Sequence, residues 1–168
     1  MTSIEELLQE LDREAQSTRR VLERVPDDQL DWQPHPKSLT LGQLAMHVAT
    51  LPVAIAELST RDTFEVGTTI PRPSAASTAE LVDTMDCGVA RAKALIGGMD
   101  DAALASPWRM MDGEHEVGAM PRGELLRSVL LNHWYHHRGQ LTVYLRQTGA
   151  AVPAIYGDSA DERPFPLD

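Results

Sequence analysis

The chain has 168 residues, 42% of them hydrophobic, and carries 25 acidic against 15 basic side chains for a net charge of -10. That length supports one core and a single domain spanning residues 1–168, and the acidic balance argues against a nucleic-acid partner, whose phosphates need Lys and Arg. One cysteine, Cys87, excludes an internal disulfide and any multi-cysteine metal cluster.

The acidic, amphipathic start has neither a basic n-region nor an apolar h-region. Apolar runs are broken by His, Pro or Glu before the roughly 18 residues a bilayer span requires. A soluble, cytoplasmic protein without a membrane partner is expected.

From Ile4 to Val25 apolar residues recur mostly at three- and four-residue spacings until Pro26 stops them, which predicts a first helix. Pro34 and Pro36 mark a connection. Thr40 then offers an N-cap to the stripe Leu41, Leu44, Val48, Leu51 and Ile55, a second helix that reaches Ser59. Pro52 lies inside it, where a missing N–H and a ring clash predict a bend just past His47. Residues 60–76, with Gly67, Pro71, Pro73 and Ser74, hold no period and read as an irregular crossover.

Ser77 followed by Glu80 is a capping-box signature. It opens a third helix along Leu81, Val82, Met85, Val89, Ala92 and Ile96, stopped by Gly97-Gly98. Asp112-Gly113 between short apolar segments predicts a small hairpin or an extended loop. Pro121 opens the longest helix, Glu124 to Gln147, which Gly149 ends. The tail after Ala150 either packs over one end or frays. The expected fold class is therefore all-α: a four-helix bundle with a long crossover and a short hairpin or irregular loop before the last helix.

The buried row of the last helix runs Leu126, Leu130, His133, His137, Leu141 and Tyr144, so two histidines stand where apolar residues are due. Residues four apart on a helix have Cβ atoms about 5–6 Å apart, close enough for two imidazoles to share an ion. His47 occupies the same kind of position between Leu44 and Leu51. Two readings stay open on pattern alone. The histidines are core residues satisfied by hydrogen bonds, or one shared metal satisfies all three. A carboxylate-bridged di-iron bundle needs Glu-x-x-His on two helices, but Leu44, Leu130 and Trp134 stand three before the three histidines. An H-E-x-x-H site is likewise missing, because Ala119 follows His115-Glu116 where its second His belongs.

The segment LNHWYHHRGQLTVYL, Leu131 to Leu145, strongly resembles the last-helix motif H-x-x-x-H-R-G-Q of the DinB-like, YfiT-like superfamily. TLGQLAMHVATL, Thr40 to Leu51, resembles that family's second-helix motif, which carries one histidine. The resemblance implies a four-helix bundle, often homodimeric, with a three-histidine site for one divalent transition metal ion, zinc or nickel. Matched position by position, His47, His133 and His137 would be its ligands. His136 falls outside the ligand pattern, and His35 and His115 lie in loops with no role assigned.

Within the motif Gly139 can allow close helix approach, Arg138 can pair with a carboxylate, and Gln140 can orient a ligand or bond a neighbouring helix. Trp134 and Tyr135 read as packing or interface residues, and Cys87 as incidental. Three neutral imidazoles leave a coordination position open, the pattern of catalytic zinc. Members of the superfamily include thiol-dependent S-transferases and isomerases, and others assigned only by similarity as metal-dependent hydrolases. The resemblance thus implies a metalloenzyme acting on a small-molecule substrate, with a low-molecular-weight thiol or water as nucleophile; the competing class is a non-catalytic metal- or ligand-binding stress protein. No general acid or base is nominated.

Overall fold

In the computed structural model, which describes residues 3–163, the second and third long helices begin at the caps expected of them, and the first begins at a cap the sequence reading did not name. Ser3 accepts from the Glu6 amide and Glu6 returns the bond, opening α1 (Ile4–Leu22). Thr40 and Gln43 form the same reciprocal pair at α2 (Leu41–Ser59), so two orphan donors are satisfied at each start. At α3 (Thr78–Gly97) Ser77 caps the Glu80 amide, but the Glu80 carboxylate reaches the amide of Ala76, one residue outside the cap. A 3-10 turn (Asp27–Gln29) and α4 (Asp101–Ala105) are too short to show an apolar period in the sequence.

The all-α expectation needs one correction. The fold is mostly helical but includes a three-stranded sheet of β1 (Thr63–Glu65), β2 (Pro107–Asp112) and β3 (His115–Pro121), in the order β1-β2-β3. β2 and β3 form the hairpin expected at Asp112-Gly113, whose Gly113 takes φ +59°. β1, inside the crossover read as irregular, pairs parallel to β2 with Phe64 opposite Met110. Three residues carry no legible alternation, and the partner strand lies more than forty residues downstream, so only the tertiary fold reveals this strand.

A second correction concerns the last helix. The unbroken α-helix expected from Glu124 to Gln147 is a turn at α5 (Arg122–Glu124), a π-helical stretch (Leu125–Asn132), and then α6 (His133–Gln147). The wider turn of a π-helix moves successive side chains off the 3.6-residue phase. Leu125, Leu126, Leu130 and Leu131 are all buried as a result. Gly149 ends α6 in the left-handed region, at φ +79°. The tail beyond it packs: Ala154 is buried, and Glu162 pairs with Arg20 and, at 2.6 Å, with Arg24 of the α1 end.

α2 lies at the centre, packed against α3, α6 and the π stretch, while α1 packs on α3. Length and composition alone would let α2 cross a bilayer, yet it is a core helix, more than half buried inside the protein. Its Pro52 has no N–H, so the carbonyl of Val48, four residues back, loses its helical donor. The indole of Trp134, fully buried on α6, supplies the replacement: Nε1 donates to the Val48 oxygen at 2.9 Å.

Trp134→Phe should therefore cost about 1–3 kcal/mol, because it keeps the ring and orphans a buried carbonyl. In a Pro52→Ala background, where the helix can supply its own amide to Val48, the same substitution should cost less. Chemical denaturation of the four proteins in the cycle measures this, and equal costs in both backgrounds would show that the indole bond does not serve the proline defect.

Candidate metal centre

The Val48–Trp134 bond joins the two helices next to the residues singled out above, because His47 precedes Val48 and His133 precedes Trp134. All three histidines are half-buried, and their ligand atoms lie within 4.8 Å of one another. Ring centroids are 4.5 Å apart for His47–His137, 4.5 Å for His133–His137 and 5.4 Å for His47–His133. Among the described residues this is the only group of three or more His, Cys, Asp or Glu side chains close enough to hold an ion.

Local bonds orient the rings. Nδ1 of His137 stands 2.9 Å from Gln140 Oε1, an acceptor, so the proton sits on Nδ1 and Nε2 keeps its lone pair. His133 opens α6 at the end of the π-helical stretch, where its amide donates to the Leu130 carbonyl. The two Nε2 atoms then face each other at 2.8 Å. Two nitrogens each about 2.0–2.1 Å from one ion are separated by about 2.9–3.4 Å at ordinary coordination angles, so the spacing fits a shared cation. The donor set fits a divalent ion of the zinc or nickel type, for which imidazole is a suitable ligand.

Burial is the largest influence on each ring and favours the neutral form. His47 is pushed down from 6.5 to about 4, by burial first and then by His137, His133 and Arg72. His133 is lowered by burial and by His137. His137 is lowered by burial, with His136 and Arg72 adding to it and the Gln140 bond opposing. Neutral imidazoles are the metal-binding form.

His136 is exposed with its ring 4.8 Å from that of His137, outside the three-nitrogen group. His35 accepts from the Lys37 amide in its loop, and His115 is exposed on β3. Arg138 does pair with a carboxylate, Glu14 at 2.7 Å, and is buried away from solvent. Gly139 borders open space, so the close helix approach expected of it is not its role. Cys87 is exposed on α3. Sequence reasoning missed the influence of Arg72 on His47 and His137, because it lies in the crossover without a motif.

A lowered histidine pKa means that the unfolded chain takes up the proton first as pH falls. The metal-free protein should be at full stability above pH 6.5 and lose stability as pH drops toward about 4. NMR titration of the metal-free protein should give His47 a midpoint well below 6.5, and a midpoint at or above that value would contradict the burial of the cluster.

The model of the DinB family matches residues 1–163. The chain is 30% identical over 162 residues to YrdA, an uncharacterized protein of Bacillus subtilis (strain 168), covering 95% of this chain and 92% of that one. The crystal structure of a DinB-like protein from Bacillus cereus ATCC 10987 superposes with a TM-score of 0.71 at 29% identity, over 92% of this chain and 99% of that chain. A second DinB-like protein, yjoa of Bacillus subtilis, shares the fold with a TM-score of 0.67 at 17% identity, over 89% of this chain and 96% of that chain. The match extends across both helices that carry the three histidines, and the chain belongs to the DinB family.

Proposed function

We propose that this protein is a divalent-metal-dependent enzyme in which His47, His133 and His137 hold one zinc or nickel ion at the centre of a four-helix bundle. The supporting observation is the pair of Nε2 atoms facing each other at 2.8 Å with the His137 proton fixed on Nδ1 by Gln140. The ligand atoms of all three rings lie within 4.8 Å of one another, so one cation would satisfy all three, whereas a hydrogen bond between two rings joins only two of them. When bound, the ion would supply Lewis acidity at a position the protein leaves open, making a low-molecular-weight thiol or water nucleophilic near neutral pH.

The chain's own residues have separable tasks. Burial keeps the imidazoles neutral, Gln140 sets the tautomer of His137, and the Trp134–Val48 bond fixes the spacing between the two ligand-bearing helices. Cys87, exposed on α3 outside this group, is not the nucleophile, so a thiol would enter as cosubstrate. The reaction is S-transfer to an electrophile or hydrolysis of an ester or amide. The proposal extends to a homodimeric, cytoplasmic protein with a small-molecule substrate and no nucleic-acid partner, in keeping with the net charge of -10.

One observation favours the second reading, a metal- or ligand-binding protein without turnover. Among the described residues the group able to hold an ion consists of three histidines, with no Asp or Glu in it to act as acid or base.

Metal-loaded protein should conjugate a low-molecular-weight thiol or hydrolyse an activated ester, and His137→Ala should not. Equal rates for the two would sink the enzymatic reading, whereas stoichiometric metal with no turnover would support the binding protein. Gln140→Ala should keep the fold and weaken metal affinity by about tenfold or more, since outer partners of ligating histidines typically contribute that much. Competition with a chromogenic chelator measures it.

A further inference from the structure

Tyr156 lies in the tail with 73% of its surface open to solvent, the most exposed large hydrophobic among the described residues. Its ring gains little from burial, yet its hydroxyl reaches the least exposed charged side chain among those residues, Arg138. The hydroxyl accepts from Nη2 of Arg138 and donates at 2.6 Å to Oε2 of Glu14, the same oxygen that Nη1 of Arg138 meets at 2.7 Å. Burial and the Glu14 carboxylate push the pKa of Tyr156 up, so the hydroxyl keeps the proton it donates. Thr18 and the Glu14 carbonyl both bond Nη1, and among the described residues only Tyr156 bonds Nη2. Without that hydroxyl a buried guanidinium donor would lack a partner.

Two sets of bonds hold the segment that carries Tyr156. On the α1 side Arg20 donates to the Ala154 carbonyl at 2.8 Å, and Arg20 and Arg24 both pair with Glu162. On the α6 side Arg146 pairs with Asp161 at 2.5 Å, and the same carboxylate accepts from the Val152 amide at 2.8 Å. The segment therefore bridges α1 and α6, with Tyr156 between its anchors. These ion pairs are partly exposed and individually weak, so the tail is the part of the assembly most easily released. Arg138 follows His137 on α6, and a helix that turns about its axis carries both side chains with it. Whatever holds Arg138 against α1 also holds His137 toward His47.

We propose that residues 150–162 form a latch for the three-histidine site, with Tyr156 as the positioning residue through which the latch acts. Closed, its hydroxyl completes the Arg138–Glu14 pair and keeps α6 in the rotation that presents His133 and His137 to His47. Tyr156 touches neither ligand nor substrate. The effect on metal binding rests on the metal reading above, whereas the hold on α6 does not.

Tyr156→Phe keeps the ring and removes only the hydroxyl. Followed by the visible spectrum of cobalt titrated into the full chain, it should weaken cobalt binding by about three- to tenfold, less than a partner bonded directly to a ligand contributes. A loss of stability alone would not do this, because the affinity of a protein that remains folded does not depend on its distance from unfolding. In the metal-free protein the α6 amides around Arg138 should exchange faster in Tyr156→Phe, with those of α3 unchanged. Glu162→Gln should weaken cobalt binding in the same direction and add nothing in the Tyr156→Phe background, since the tail acts through the hydroxyl. Unchanged cobalt affinity in Tyr156→Phe, or fully additive effects of the two substitutions, would overturn the latch. A wild-type protein that takes up no cobalt would defeat the metal reading instead. Exchange along α6 then decides alone, and equal rates in wild type and Tyr156→Phe would overturn the latch.

Discussion

A missing amide in the middle of α2 sets the position of the candidate site. Pro52 removes the donor that the Val48 carbonyl would otherwise receive, and a buried carbonyl without a partner is costly. Trp134 fills that vacancy from another helix, at 2.9 Å, with an aromatic ring that is itself fully buried. The bond is directional and short, so it fixes the depth at which α6 crosses α2 more tightly than apolar packing alone would. Because His47 and His133 are the chain neighbours of the two bonded residues, the bond also fixes the separation of the histidines.

The other side of α6 is held by charge. Arg138, next in sequence to His137, is buried between the rings of Tyr135 and Tyr156 and bonded to Glu14 and Thr18 of α1. Tyr156, from the tail, donates to Glu14 as well, at 2.6 Å. One turn earlier on α1, Glu10 accepts from both Arg127 and Tyr135, at 2.6 Å each. A buried ion pair adds little net stability over an apolar replacement of equal volume, because desolvation offsets the attraction. Its value here is angular: with the indole on one side and Arg138 on the other, α6 cannot rotate about its axis without breaking one of them. That rotation would carry His133 and His137 away from His47.

What was legible in the chain follows from the range of the interactions involved. Caps such as Thr40 and Ser77, the stops at Gly97 and Gly149, and the inward histidines are written in spacings of a few residues, and they reappear in the structure. β1 was illegible because its stability lies in a ladder to residues far downstream. The π-helical stretch was illegible for a different reason: Leu125 to Leu131 satisfies an α-helical apolar pattern well enough, and only packing decides that all four leucines go inside. At the site, ligand types and spacings could be read, along with the family motif. The partner of Val48 could not, since it depends on a backbone group that only the fold brings beside Trp134.

These unread features are what distinguish a site from three histidines in a core. Packing could accommodate three half-buried imidazoles by letting them hydrogen-bond to one another, with one ring donating and its neighbour accepting. Gln140 holds the His137 proton on the far nitrogen, so its Nε2 lone pair faces Nε2 of His133 at 2.8 Å, in surroundings where burial disfavours protonation. A hydrogen bond between these two rings leaves out the third, His47, whose ligand atom lies within 4.8 Å of both. One shared cation would satisfy all three at once, and the indole lock and the Arg138 anchor keep the two helices in the position that makes this convergence possible.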